Sequence, residues 1–268
     1  MRLGQISLNI WNQQSRDGEI RLLARKEALL SGGKPVVVML HGALRNSAPL
    51  VPWLPALERD FELLFIDLPG HGQAPELYPV SVENFARNIG DAISSLLAGR
   101  EVMVIGESLG GLIALCLGGL DLPMLRCVFA ADPPLSMAKQ WQVTHAVREH
   151  AKAARGKFWT EFAFNIFGVT EDGLDPADRI YYPLLQRLAV PACILTGDVP
   201  LFPVRASAAT PCLIDAVDED AILRYSNGKA VLRRVEGCGH LVLTDALSAS
   251  LTHFRQFARD RAGTVWTI

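Results

Sequence analysis

No stretch of this chain is a run of like charge. Its 26 Lys and Arg balance 28 Asp and Glu to a formal net charge of −2, so it has no cationic field for gripping phosphates and nucleic acid is not an expected partner. Also missing is the run of about 20 consecutive apolar residues that a membrane span needs, although half of the residues are hydrophobic. The residues after Met1-Arg2-Leu3-Gly4 mix polar and apolar side chains without the apolar stretch of a secretory leader, and the expected location is the cytoplasm. The five cysteines (Cys116, Cys127, Cys193, Cys212 and Cys238) are odd in number and scattered, with no CxxC pair and no Cys/His cluster. That pattern argues against a disulfide framework, and neither a metal nor another cofactor is expected. Repeats, low-complexity tracts and Gly/Ser-rich linkers are absent too, and 268 residues suit one large domain around a single core.

What is present is a rhythm. Ile6, Leu8 and Ile10 alternate over residues 5–11, Ser15-Arg16-Asp17-Gly18 signals a turn, and Ile20, Leu22 and Ala24 alternate again, which predicts an opening hairpin. Val36 to Leu40 is a continuous apolar run ending in His41-Gly42 and reads as a strand buried on both faces. A helix over 51–58, a strand over 63–67, a helix over 82–97 capped by Ser81 and a strand over 102–105 follow. Beyond a helix at 109–117 and a strand at 127–130 the rhythm stops, and from Leu135 to about Tyr182 only helical patterns occur. Strands at 191–195 and 231–235 and a closing helix over 245–259 resume it. Such alternation specifies an α/β, doubly wound, mostly parallel sheet. The interruption predicts a small helical cap over 135–182, inserted before the penultimate strand into a core made of 1–134 and 183–268.

The strand at 102–105 runs into Gly106-Glu107-Ser108-Leu109-Gly110 and then a helix, the strand–GxSxG–helix context of a nucleophile elbow. Ser108 is thereby the candidate nucleophile, with its hydroxyl at a helix N-terminus that favours negative charge. Three further motifs close strands: His41-Gly42, Asp67-Leu68-Pro69-Gly70-His71-Gly72 and Gly237-Cys238-Gly239-His240. A serine hydroxyl needs a neutral imidazole to take its proton, and His240, after the last strand, is the natural base. His41 and His71 read as loop braces, and His145, His150 and His253 as helix-surface residues.

With these HG, DLPGHG, GxSxG and GxGH signatures, the chain resembles the α/β-hydrolase superfamily, in its capped esterase-like branch, from the opening hairpin to the final helix. The resemblance implies an enzyme that hydrolyses an ester or related acyl bond of a small molecule by a Ser-His-Asp triad. It also implies an oxyanion hole from the backbone N–H groups of Leu109 and Ala43, with His41 supporting that loop and Leu44 at the pocket wall. For the acid, relatives of this kind place an aspartate three residues past the glycine of the penultimate strand, where this chain has Pro200. Asp198, two residues earlier, is preferred. Asp132, which ends the strand before the cap, is the alternative, and Asp215, Asp218 and Asp220 are outside candidates.

In the cap, Phe158, Trp159, Phe162, Phe164, Ile166 and Phe167 cluster, and Phe158, Phe162 and Ile166 share one helical face. They are expected to glue cap to core and in part to meet an apolar acyl or aromatic substrate, with Trp141 a further candidate for the pocket wall. Thioester or C–C bond hydrolysis is the runner-up on the same site. A non-catalytic binding protein and a cofactor-free oxygenase are the competing classes.

Overall fold

The computed structural model describes residues 6–173, 177–200 and 210–261. The expected cap at 174–176 and the ends of the expected core at 1–5 and 262–268 fall outside them. Strand β1 (Asn9–Gln14) pairs antiparallel with β2 (Glu19–Ala24), and Ser15 N–H donates to the Gly18 carbonyl at 2.8 Å to close the turn. Helix α1 (Lys26–Ser31) leads to β3 (Val36–Leu40), and a 3-10 turn (Ala48–Leu50) and α2 (Trp53–Leu57) lead to β4 (Glu62–Asp67). Next come α3 (Val82–Leu96), β5 (Val102–Glu107), α4 (Leu109–Gly118) and β6 (Leu125–Ala131). Helices α5 (Trp141–Ala154), α6 (Lys157–Phe167) and α7 (Tyr182–Gln186) separate β6 from β7 (Ala192–Gly197). Then α8 (Ala216–Tyr225) precedes β8 (Ala230–Val235), which α9 (Val242–Asp245) and α10 (Leu247–Arg261) follow.

The strands lie in the order β1-β2-β4-β3-β5-β6-β7-β8, antiparallel in the first two pairs and parallel in the rest. This is the doubly wound, mostly parallel sheet that the alternation predicts. The continuous apolar runs have the reason expected of them: each strand feeds two cores. Val36, Val38 and Leu40 join Val102 and Val104 on the face covered by α3 and α4, while Val37 and Met39 join Met103 and Ile105 on the face covered by α2 and α10. On the second face Phe254 meets Trp53, Phe61 and Phe129 at ring centroids of 6.3, 5.9 and 5.7 Å. Truncating a core aromatic of this kind costs about 3–5 kcal/mol. All five cysteines are buried free thiols.

Two expectations shift. The first strand runs over Asn9–Gln14 instead of 5–11, because the turn sets the register of a hairpin. Ile10 is left exposed on this edge strand, while Ile6 and Leu8 pack on the second core. The segment between the last two strands holds an unforeseen helix, α8. Its start carries a readable signal, a capping box in which Asp215 accepts from the Val217 and Asp218 amides and Asp218 accepts from the Asp215 amide.

Candidate active site

Parallel strands bring their C-terminal ends to one edge of the sheet, where α/β proteins place ligands. Ser108, between β5 and α4, has φ 56° and ψ −117°, a strained conformation for a residue with a Cβ, costing about 1–3 kcal/mol. The neighbouring glycines permit it: a Cβ at Gly106 would lie 2.0 Å from the Gly110 carbonyl oxygen, and one at Gly110 would lie 2.4 Å from that of Leu40. The Ser108 amide donates to the Ala131 carbonyl at 2.8 Å, which ties the elbow to the end of β6. Leu109 opens α4, so its N–H has no acceptor within the helix. On the other side the backbone at Gly42 passes so close that a Cβ there would sit 3.2 Å from Ser108 Cβ.

His240 meets an aspartate, and it is Asp132. His240 Nδ1 lies 2.7 Å from Asp132 Oδ2. That carboxylate is fully buried, and it also accepts from Thr196 Oγ1 at 2.7 Å, from the Leu213 amide at 2.7 Å and from the Ile214 amide at 3.2 Å. With an acceptor opposite Nδ1, the ring proton sits on Nδ1 and Nε2 keeps its lone pair. The preference for Asp198 is not met by this geometry. Asp198 is exposed, its Oδ1 accepts from the Gly237 amide at 2.8 Å, and its own N–H donates to the Cys238 carbonyl at 3.0 Å, so it braces the turn after β8. The outside candidates have other partners: Asp215 and Asp218 bind Lys139, and Asp220 pairs with Arg224.

Ser108 and His240 line one cavity of about 350 Å³ together with Gly42, Ala43, Leu44, Arg45, Thr210 and Leu241. Its remaining wall is Gln142, Val143, Ala146 and Val147 of α5. The aromatics of α6 are not part of that wall. Phe158 and Phe162 are buried and stack on each other, and Phe158 also stacks on Phe85, which packs α6 against α3. Trp141 is half exposed and lines a different cavity, with His145, Arg148 and Val169.

Two loop histidines are sealed in. His41 Nδ1 donates to the Gly42 carbonyl at 2.7 Å and its Nε2 accepts from the Leu68 amide at 2.9 Å, pinning the Gly42–Leu44 loop to the end of β4. Burial depresses its pKa to about 4. His71, pushed down to about 3 mainly by burial, donates to the Pro69 carbonyl and packs its ring against Trp159 and Phe162 of α6.

Sequence reasoning passed over an ion pair made by the residue before the serine, with Glu107 buried and Arg45 partly exposed. Glu107 Oε2 binds Arg45 Nη1 at 3.0 Å and its Oε1 accepts from the Leu243 amide at 3.3 Å. Burial raises the Glu107 pKa, and the charges of His240 and Arg45 partly offset that rise. An acid inside an otherwise apolar strand end was the available signal.

Fold and site together have the arrangement of an α/β hydrolase, and comparison with known proteins agrees. The model of the Alpha/beta hydrolase family matches residues 37–249, and the chain belongs to that family. It is 27% identical over 240 residues to the pimeloyl-[acyl-carrier protein] methyl ester esterase of Neisseria meningitidis serogroup A, covering 83% of this chain and 74% of that protein. The corresponding esterase of Vibrio vulnificus is 30% identical over 113 residues, an alignment spanning 41% of this chain and 42% of that protein's length. Among solved structures, an esterase of Pyrococcus furiosus superposes with a TM-score of 0.68 at 14% identity, covering 97% of this chain and 92% of that one, a likeness of fold.

Proposed function

We propose that this protein is a serine hydrolase that cleaves a carboxylic ester of a small, largely apolar acyl substrate, with Ser108 as nucleophile, His240 as base and Asp132 as the acid. The observation that carries this reading is the 2.7 Å contact between His240 Nδ1 and a fully buried Asp132, with His240 and Ser108 on the wall of one cavity. His240 Nε2 takes the Ser108 proton as Oγ attacks the carbonyl carbon, and the N–H groups of Ala43 and Leu109 hold the resulting oxyanion. Collapse expels the alcohol, protonated by Nε2–H, and leaves an acyl-enzyme. Water, deprotonated by the same imidazole, then releases the acid. The cavity lies near the lower end of the range for small-ligand sites, about 300–1,000 Å³, and its wall from α5 is mostly apolar, which favours a short acyl group over a sugar or phosphate ester. Residues 135–182 act as the cap over this site. The buried free thiols suit a reducing cytoplasm.

The test is a burst of alcohol from short chromogenic acyl esters, with Ser108 labelled by a fluorophosphonate and both signals lost in Ser108→Ala. No turnover of any such ester and no labelling would sink the reading. Oxygen-dependent turnover that survives Ser108→Ala would point to the cofactor-free oxygenase class, and turnover of thioesters alone to the runner-up substrate.

A further inference from the structure

We propose that Gln140 is a positioning residue for the Asp132–His240 pair, acting through the peptide group that joins Leu213 to Ile214. Gln140 is buried at the N-terminus of α5, yet its side chain does not cap that helix. Instead, Nε2 donates to the Leu213 carbonyl at 2.7 Å. The N–H of that same peptide group, on Ile214, donates to Asp132 Oδ1 at 3.2 Å, and the preceding N–H, on Leu213, donates to Oδ2 at 2.7 Å. A donor on the carbonyl polarises the N–H at the other end of the peptide, so the chain from Gln140 through 213–214 to Asp132 strengthens along its length. It also fixes where the two amides stand, and with them the carboxylate that orients His240.

The backbone carbonyl of Gln140 faces the other way, accepting from Thr144 N at 2.9 Å and Thr144 Oγ1 at 3.0 Å in the first turn of α5. That helix supplies Gln142, Val143, Ala146 and Val147 to the wall of the Ser108 cavity. Next to Gln140, Lys139 Nζ grips Asp215 Oδ1 at 2.6 Å and Asp218 Oδ2 at 2.5 Å, anchoring the 213–218 segment a second time. One dipeptide thus roots both the helix that faces the substrate and the segment that holds the acid. Apolar contact alone does not account for an amide here, since leucine would fill similar space without burying a donor.

The catalytic consequence rests on the hydrolase reading above, and the test separates the two. Gln140→Leu, measured with a short acyl ester, is expected to lower kcat about tenfold at unchanged KM, the scale of a small misplacement remote from the chemistry. In an Asp132→Asn background the same change is expected to alter kcat by less than about twofold, because the group it acts through is already disabled. Equal losses in both backgrounds, a rise in KM at constant kcat, or no change in either overturns the proposal. If Gln140→Leu does not fold, Gln140→Met, which keeps the length and loses the donor, takes its place with the same expectations. Independently of turnover, the His240 Nδ1–H proton resonance is expected to shift in the variant. If no ester is turned over by the native protein, the hydrolase reading fails and this resonance alone decides; an unshifted signal then overturns the positioning role.

Discussion

The ends of β6 and β7 lie side by side on the edge that carries Ser108, and each is followed by an aspartate. Asp132 turns inward to Thr196, to the Leu213 and Ile214 amides and to His240, whereas Asp198 turns outward to the Gly237 amide. Both carboxylates are satisfied, and the difference is what satisfies them. The donors around Asp132 come from β7, from a segment about 80 residues further along the chain and from the loop after β8. The donor to Asp198 belongs to the neighbouring turn. A triad acid needs a second set of donors that hold it toward the histidine while the histidine stays free to face the serine, and among the described residues Asp132 has such a set.

Exchanging the carboxylates for amides should give the widest separation between the two strand ends. Asp132→Asn is expected to lower kcat by about 10⁴-fold, since an amide opposite Nδ1 favours the wrong tautomer of His240, while Asp198→Asn leaves kcat within about twofold because its Oδ1 accepts from the Gly237 amide of a turn. Steady-state rates on a chromogenic ester decide it, and a reversed ranking removes Asp132 from the triad.

A second contrast sets the cavity-facing His240 against the sealed His41 and His71. A histidine whose folded pKa is depressed stays neutral in the native state and protonates more readily when unfolded, so stability is lost as the pH falls from about 6.5, the unfolded value. The loss runs down to about 4 for His41 and about 3 for His71. Each is expected to cost roughly 3 kcal/mol between pH 7 and pH 4, about 6 kcal/mol together, read from urea midpoints. Glu107, whose pKa is raised by burial, opposes this trend by favouring the fold at low pH. His71→Phe should therefore flatten the decline, and an equally steep decline in that variant would exclude His71 as a source.

Thr196 provides a smaller and sharper probe of the inward-facing set. Thr196→Val removes one donor from Asp132 while keeping the shape, and a loss of about tenfold in kcat with little change in KM is expected. An unchanged kcat would mean that the backbone amides of Leu213 and Ile214 suffice. The smallest effect belongs to the outer strand end, where losing the Asp198–Gly237 bond in Asp198→Ala should lower unfolding stability by only about 0.5–1.5 kcal/mol.

The elbow was legible because its requirements are local: a buried strand, two positions that exclude a side chain and a helix start fall within Val102–Gly118. The two-faced strands were legible for the same reason, as continuous apolar runs. The carboxylate partner of His240 was not, because offset from a glycine says nothing about which distant amides converge on a carboxylate. Nor was the packing of α6, where spacing groups Phe158, Phe162 and Ile166 on one face but does not say whether core or cavity lies beneath it. Helix α8 carries a capping signal in Asp215 and Asp218, but its exposed Val217 and Leu223 blur the apolar face by which a helix is read from sequence.

By itself the sequence determined the order of strands and helices, the sheet they must form and the placement of Ser108 at a strained turn, because neighbouring residues decide each of these. Only the tertiary structure brought Asp132, and not Asp198, to His240, set Glu107 against Arg45 and gave the cavity wall to α5 instead of α6. Those outcomes depend on hydrogen-bond donors and packing surfaces far apart in the chain, which become neighbours only after the sheet is assembled.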